Sequence, residues 1–312
     1  MKRICCRRVL CAALAFLICI CCCSCGQAGK DKKSNEVGAY KPGVTHVLVP
    51  VSGDQDTVTA GALTLDFTNV SDGYFTGRLS EPGKTINIQV TGPDQVIYKY
   101  FLDNADAPAV FPLTAGNGSY IVLAFENVGG DQYVSLLTHS LTLELKSEFL
   151  PFLYPNQYVD FSEDNEAIHL AAELSADAKT DLEALTAIYQ YVTENITYDE
   201  EKAATVESGY LPDVDDTLRT KTGICFDYAA LSVAMLRSLS IPAKLSIGYS
   251  GEIHHAWIDV YMESIGWVKN AVEFNGREWK MMDPTFASAL GEEQNIRDYI
   301  GDGSNYILQY VR

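Results

Sequence analysis

The cysteines are placed so that the body of this chain contains one thiol and can form no internal disulfide. The 312-residue sequence has nine cysteines, of which eight lie at or before position 25 and the ninth is Cys225. Without a cystine, the body must be held together by its hydrophobic core. A lone thiol of this kind is either an inert buried group or a nucleophile, and its surroundings must decide between the two.

The composition is that of a globular protein, with 47% apolar and 21% charged residues. A chain of 312 residues is long enough for two domains of ordinary size. The formal net charge is −18, and the positive charges that open the chain make the remainder more acidic still. So acidic a body repels nucleic acid, which we exclude as a partner.

The N-terminal segment has the pattern of an export signal. Residues 1–8 carry positive charges, Val9–Cys23 is uncharged and mostly apolar, and small residues flank Cys25. A basic start, a short apolar run and a small-residue exit predict a signal peptide over residues 1–25. The apolar run is too short for a comfortable membrane span.

The exit of this signal resembles a bacterial lipobox, in which the cysteine receives a diacylglyceryl group and becomes the new N-terminus. Cys25 fits the lipidated position, although Cys22 stands where the lipobox prefers leucine. The resemblance implies an exported protein with a lipid anchor in the outer face of the bacterial cell membrane. The alternative is an ordinary cleaved signal. Residues 26–43 predict a flexible tether that lifts the body off the membrane.

Residues 44–147 predict an all-β domain. They contain short runs rich in β-branched and aromatic residues, several of which alternate apolar and polar positions. The runs are THVLVPV, ALTLDFTNV, TINIQVTG, QVIYKYFL, SYIVLAFENV and SLTLEL. Clusters of Gly, Asn, Asp and Pro separate them, which is typical of an antiparallel β-sandwich.

Residues 148–312 predict a second domain that mixes helices and strands. Apolar residues at spacings of three and four predict a helix over Thr180–Ile196, after a shorter helix over Glu166–Leu174. The polar segment Thr197–Thr222 predicts a loop in front of the site. A further helical pattern begins at Cys225.

Three residues of this second domain have the order and setting of a thiol enzyme. Cys225 at a helix N-terminus would meet unpaired N–H groups and the helix dipole, both of which lower a thiol pKa. His255 lies at the start of a strand, and Asp283 ends a later strand that follows an Asn-Gly turn. If these strands are antiparallel neighbours, a base and a carboxylate lie side by side facing the helix tip, as in acyl-transfer triads.

These segments resemble the transglutaminase-like superfamily. The motifs GICFDYA, HAWIDVY and MDPTF follow one another in the family's order, and ITYD and RTKTG upstream are also similar. The resemblance covers roughly Leu182–Phe286 and implies an α+β, papain-like core with a central helix on an antiparallel sheet. It implies Cys225 as nucleophile, His255 as base and Asp283 as orienting carboxylate. The departure is the long insert SIGWVKNAVEFNG between the His and Asp strands.

Neighbouring residues receive supporting roles in this interpretation. Asp227 is interpreted as structural, Trp257 as part of the core or groove wall, and Tyr210 as an oxyanion donor beside the Cys225 N–H. The scattered histidines and the lack of a calcium or phosphate-binding loop give no indication of a metal or cofactor.

We therefore expect a cell-surface enzyme in which Cys225 attacks a peptide or carboxamide carbonyl. Water as the acyl acceptor makes it a protease or amidase, which we slightly favour because bacterial members of the superfamily are often hydrolases. An amine acceptor makes it a crosslinking enzyme. The expected partner is a protein or peptide substrate, including cell-wall peptide. The alternative is a non-catalytic surface binding lipoprotein that retains the transglutaminase-like fold.

Overall fold

The computed structural model describes residues 39–103, 105–250, 252–264, 266–274, 279–281 and 306–312. The predicted signal peptide with its lipidation site Cys25, most of the predicted tether and the predicted carboxylate Asp283 lie outside the described residues. In the described part of the chain, no helix is long and apolar enough to cross a membrane.

An antiparallel β-sandwich forms the N-terminal part of the structure. Its strands are β1 (Thr57–Ala60), β2 (Leu63–Asp66), β3 (Tyr74–Leu79), β4 (Ile86–Thr91), β5 (Ile97–Leu102), β6 (Ala109–Pro112), β7 (Gly118–Gly129) and β8 (Gln132–Leu143). One sheet has the order β1-β2-β3-β6 and the other has the order β5-β4-β7-β8. Buried and exposed residues alternate along β5, as expected for a strand with one face on a core. The prediction of an all-β N-terminal part is confirmed.

The first predicted strand of this part is wrong. Residues Thr45–Val51 have no regular secondary structure. The backbone N–H of His46 donates to the carbonyl of Ser238 at 2.6 Å, and Val47 is buried in the core of the helical part instead of the sandwich. Val49 and Val51 are exposed, so the alternating apolar residues of this run do not form one buried face of a strand. Conversely, β1, β3 and β6 lie outside the predicted runs.

The C-terminal part packs helices on an antiparallel sheet. The helices are α1 (Glu166–Leu174), α2 (Asp181–Asn195), α3 (Glu200–Thr205), α4 (Val214–Thr220) and α5 (Cys225–Ser238). The strands are β9 (Thr197–Tyr198), β10 (Thr222–Gly223), β11 (Ala243–Ser250), β12 (Ile253–Met262), β13 (Gly266–Phe274), β14 (Trp279–Met281) and β15 (Tyr306–Val311). β9 and β10 form a short parallel pair, and the remaining strands form a sheet in the order β14-β13-β12-β11-β15.

Helix α5 is the buried centre of this part. All its residues from Asp227 to Ser238 are buried, because small and apolar side chains cover it on every side. Helices α1, α2 and α4 pack against it, as do strands β11 and β12. The predicted helices over Glu166–Leu174 and from Cys225 are confirmed, and α2 lies within the predicted range. The fold is α+β with a central helix on an antiparallel sheet, as predicted.

The strand order corrects one expectation about the site. The strand that carries His255, β12, is not a neighbour of β14, because the predicted insert forms β13 between them. Val272 of β13 pairs with Ile258 of β12 on one side and with Met281 of β14 on the other. The segment Thr197–Thr222 is not a simple loop either, since it contains α3 and α4.

A buried arginine joins the connector after the sandwich to the sheet. Arg237 is 1% exposed, and its guanidinium donates to the carbonyls of Ala243 at 2.9 Å, Tyr154 at 2.7 Å and Arg312 at 2.9 Å. The backbone of Arg312 in turn exchanges two hydrogen bonds with Leu245 of β11. Both parts lie in one compact unit, Ser34–Arg312. Residues of the sandwich and of the helical part can therefore line the same groove.

Candidate active site

The thiol of Cys225 lies at the N-terminal end of the buried central helix. Cys225 is the first residue of α5, is free, and is half-buried. The first N–H groups of a helix have no partner within the helix and favour a negative charge nearby. A groove of about 700 Å³ lies at this end of the helix, and Cys225 lines it.

A closed ring of hydrogen bonds fixes the start of this helix. The fully buried carboxylate of Asp227 accepts from the backbone N–H of Ile224 at 2.8 Å and from Nζ of Lys202 at 2.7 Å. The Tyr210 hydroxyl donates to the same carboxylate at 2.5 Å and accepts from Nζ of Lys202 at 2.7 Å. Asp227 is therefore structural, as predicted. The contacts tie α3 and the segment after it to the residues on either side of Cys225.

The same ring corrects the role predicted for Tyr210. Its hydroxyl hydrogen is engaged by Asp227, so it is not available to a substrate oxygen. Burial, with the neighbouring Asp227 carboxylate, raises the pKa of Tyr210 to about 12, which keeps the hydroxyl a donor to that carboxylate. Tyr210 lines the groove as part of its wall.

The two upstream motifs lie side by side against the helix start. The N–H of Thr197 donates to the carbonyl of Lys221 at 2.8 Å, and the N–H of Asp199 donates to the carbonyl of Gly223 at 2.9 Å. ITYD is thereby paired with RTKTG. A side chain at position 223 would place its Cβ 2.8 Å from Cβ of Asp227, so glycine is required for the Asp227 carboxylate to fold under the helix tip.

His255 lies in β12 and lines the same groove as Cys225. It is 5% exposed, and its Nε2 is buried with no hydrogen-bond partner among the described residues. Burial, together with the charge of His254, lowers the pKa of His255 to about 4. The ring is therefore neutral at physiological pH and can accept a proton. Trp257, two residues on, is buried as predicted.

The ionisation of Cys225 differs from the expectation of a thiol with a depressed pKa. Burial raises the pKa of Cys225, and this outweighs the opposing effect of the backbone N–H groups of Ala256 and Phe226. The helix N-terminus is present, but the low-dielectric surroundings of the sulfur have the larger influence. The resting pair is a neutral thiol and a neutral imidazole.

The groove brings together two of the three predicted site residues. Cys225 and His255 both line it, while Asp283 lies outside the described residues. No group of three or more His, Cys, Asp or Glu side chains in the described ranges could hold a metal ion.

Sequence reasoning missed two further residues that line the groove. Tyr198 belongs to the ITYD motif, and its pKa is raised to about 12 by burial and then by the negative charge that nearby Cys225 carries once it is ionised at high pH. Arg312 enters the groove from the end of β15. The motif could have suggested Tyr198, whereas no local pattern indicates Arg312.

Residues 168–271 match the family model described as the transglutaminase-like superfamily. This segment is a transglutaminase-like domain. It contains Cys225 and His255 with the elements that carry them. The match supports an enzyme in general and leaves the particular activity open.

The transglutaminase-like domain is similar to parts of much longer proteins. Kyphoscoliosis peptidase from Mus musculus is 31% identical over 134 residues, which is 39% of this chain and 18% of that protein. The uncharacterized protein YebA from Bacillus subtilis is 29% identical over 118 residues, 32% of this chain and 16% of that protein. The chain thus spans less than a fifth of these relatives' length. Among solved structures, a proposed cysteine protease from Cytophaga hutchinsonii has a TM-score of 0.38 at 16% identity, covering 77% of this chain and 83% of that one.

Proposed function

We propose that the protein is a thiol-dependent acyl-transfer enzyme acting on peptide or carboxamide bonds, with Cys225 as nucleophile, His255 as base and Asp283 as orienting carboxylate. One observation carries the proposal. The lone thiol of the body begins a buried central helix and lines the same groove as a buried, neutral histidine, one ring nitrogen of which has no hydrogen-bond partner among the described residues.

The reaction begins from the neutral pair. As Sγ of Cys225 attacks the carbonyl carbon, the thiol proton passes to His255 and an S–C bond forms. The C–N bond then breaks, and His255 returns the proton to the leaving nitrogen. A water or amine next attacks the thioester while His255 takes its proton. The C–S bond then breaks, and His255 returns that proton to Sγ, so that Cys225 is released as a thiol and His255 is again neutral.

The backbone at the helix tip favours the charge that develops in this step. The N–H groups of Phe226 and Ala256, with that of Cys225 itself, already lower the pKa of the thiol against the effect of burial. Fixed donors of this kind stabilise an oxyanion or thiolate without having to reorganise. Asp283 would accept a hydrogen bond from the imidazole and hold its tautomer and orientation.

Hydrolysis is favoured over crosslinking as the outcome. The kyphoscoliosis relative is named a peptidase. The substrate would be a protein or peptide, including cell-wall peptide. An N-blocked glutaminyl-glycine and denatured casein, each with and without a primary amine, test this directly. Hydrolysed product that requires Cys225 supports a protease or amidase, and an amine adduct that requires it supports crosslinking. If Cys225→Ala retains every activity of the parent, Cys225 is not the nucleophile and the proposed mechanism is wrong. If the parent turns over none of these substrates, a binding module is favoured instead.

A second part of the proposal concerns location. The basic start, the apolar run and the small residues around Cys25 support export and lipid anchoring at the outer face of the membrane. Cys25→Ala should move the protein from the membrane fraction to the soluble fraction. A protein that stays in the membrane fraction after this change would contradict the anchor at Cys25.

A further inference from the structure

The guanidinium of Arg312 lies in an aromatic cage at one end of the groove. Arg312 is 3% exposed. Its Cζ lies 4.4 Å from the ring centre of Tyr158, 4.5 Å from that of Tyr100, 5.0 Å from that of Tyr98 and 5.3 Å from that of Tyr310. The rings come from the sandwich, the connector and β15, and each can stabilise a cation over its face.

The cage leaves part of the guanidinium without hydrogen bonds. Nη2 donates to the carbonyl of Lys99 at a long 3.5 Å, whereas Nε and Nη1 are buried with no partner among the described residues. A buried charged donor without an acceptor is costly, and the cost is recovered when an acceptor binds. Carboxylates suit this geometry, because an arginine fork can donate to both carboxylate oxygens.

Arg312 and the thiol share the groove, and a short series of contacts joins them. Phe226, next to Cys225 in α5, has its ring centre 6.0 Å from that of Tyr158, and the Tyr158 ring centre is 4.4 Å from Cζ of Arg312.

We propose that Arg312 is an anion subsite that binds a carboxylate of the substrate whose carbonyl Cys225 attacks in the same groove. Lys99 lines the same groove and adds positive charge, while Glu207 is the acidic residue that lines it in the described part of the chain. The chain as a whole is strongly acidic, so the positive side chains of Arg312 and Lys99 make this part of the groove more attractive to an anion than the rest of the surface. An acidic side chain and a free terminal carboxylate would satisfy Arg312 equally. The inference deepens the proposed function and rests on it.

Alkylating probes that carry the carboxylate test the subsite without a known substrate. The neutral probe is iodoacetyl-Gly-Gly-Gln-amide. The first acidic probe, iodoacetyl-Gly-Gly-Glu-amide, carries its carboxylate on a side chain, and the second, iodoacetyl-Gly-Gly-Gln with a free terminus, carries it on the main chain. The second-order rate of Cys225 modification is followed by mass spectrometry. In the wild-type protein we expect at least one acidic probe to react about tenfold faster than the neutral one, and the faster of the two identifies the source of the carboxylate.

Matched variants assign this preference to Arg312. Arg312→Gln should abolish it while the rate with iodoacetamide, which is too small to reach the cage, stays unchanged. Arg78→Gln removes an exposed arginine of β3 and should leave the preference intact. Equal rates for all three probes in the wild type overturn the proposal, and this result does not depend on whether Arg312→Gln folds. If Arg312→Gln folds and still prefers an acidic probe, the proposal is also overturned. Acylation of Cys225 by p-nitrophenyl acetate does not involve Arg312. If this acylation fails, the proposed function is contradicted. If it succeeds but the three probes react at equal rates, only the Arg312 subsite is contradicted.

Discussion

Nζ of Lys202 lies 2.7 Å from Oδ2 of Asp227, a carboxylate that is fully buried two residues after the candidate nucleophile. Burial alone would lower the pKa of Lys202, but its hydrogen bonds to Asp227 and Tyr210 outweigh this and raise that pKa above its ordinary value. The ion pair is thus stable across the physiological range. It connects α3, the groove wall and the start of α5, and so fixes where the thiol lies.

Removing the cation of this pair should destabilise the fold. Lys202→Met leaves the Asp227 carboxylate buried without its ammonium partner, so we expect the free energy of unfolding to fall by about 2–3 kcal/mol. Urea unfolding at pH 7 measures the change. Lys179→Met, at an exposed position before α2, should change the stability by less than about 0.5 kcal/mol. Equal effects of the two substitutions would mean that the ion pair contributes little.

Arg237 should contribute to the free energy of unfolding about as much as Lys202 does, because it joins the sandwich connector to the sheet. Arg237→Met removes the guanidinium that donates to the carbonyls of Tyr154, Ala243 and Arg312, of which the Arg312 carbonyl keeps its hydrogen bond from the Leu245 N–H. We expect a loss of about 3 kcal/mol in the free energy of unfolding. Arg219→Met is the control, because that side chain is 70% exposed. A destabilisation no larger than the control's would show that the carbonyls find other partners.

The stability of the protein should fall on acidification through His255. Its pKa is about 6.5 in the unfolded chain and about 4 in the folded protein. Between these values the unfolded chain binds a proton that the folded protein does not, so the free energy of unfolding falls as the pH falls. By pH 4.5 the loss from this residue should reach about 2–3 kcal/mol.

Urea unfolding of wild type and His255→Gln at pH 7 and pH 4.5 isolates this contribution. The variant should lose less stability between the two pH values than the wild type does. His169→Gln, at an exposed position in α1, should lose as much as the wild type. If all three proteins lose the same amount, His255 is already protonated in the folded protein or is accessible to solvent.

The thiol should be a poor nucleophile towards simple reagents at low pH. Because burial raises the pKa of Cys225, its alkylation by iodoacetamide should rise with pH to a midpoint above the free-thiol value of about 8.5. The rate of alkylation between pH 6 and pH 10 measures this. A midpoint well below pH 7 would mean a thiolate–imidazolium pair in the resting protein.

Local patterns in the sequence were sufficient for the elements around the thiol. Apolar spacing predicts α1 and α2, which bury one side on the shared core. The apolar pattern also predicts α5 and β12, although both are buried on more than one side. The same reasoning is wrong for Thr45–Val51, where Val47 is buried in the core of the helical part while Val49 and Val51 are exposed. It is also wrong about the neighbour of β12, since a strand order depends on contacts between distant segments.

The surroundings of the site depend on contacts that no spacing reveals. Lys202 reaches Asp227 across 25 positions, and Arg312 meets the sandwich tyrosines from the far end of the chain. The pKa of Cys225 follows from how deeply the helix tip is buried, which the motif does not encode. The position of Asp283 beside His255 stays a prediction.

Acylation of Cys225 by p-nitrophenyl acetate tests the central claim most directly, because it needs the nucleophile and the base but no natural substrate. We expect a burst of p-nitrophenolate with the acetyl group on Cys225 by mass spectrometry, no burst in Cys225→Ala, and a burst slowed by roughly 100-fold or more in His255→Ala. The account is contradicted if Cys225 is not acetylated, or if it is acetylated at the same rate without His255.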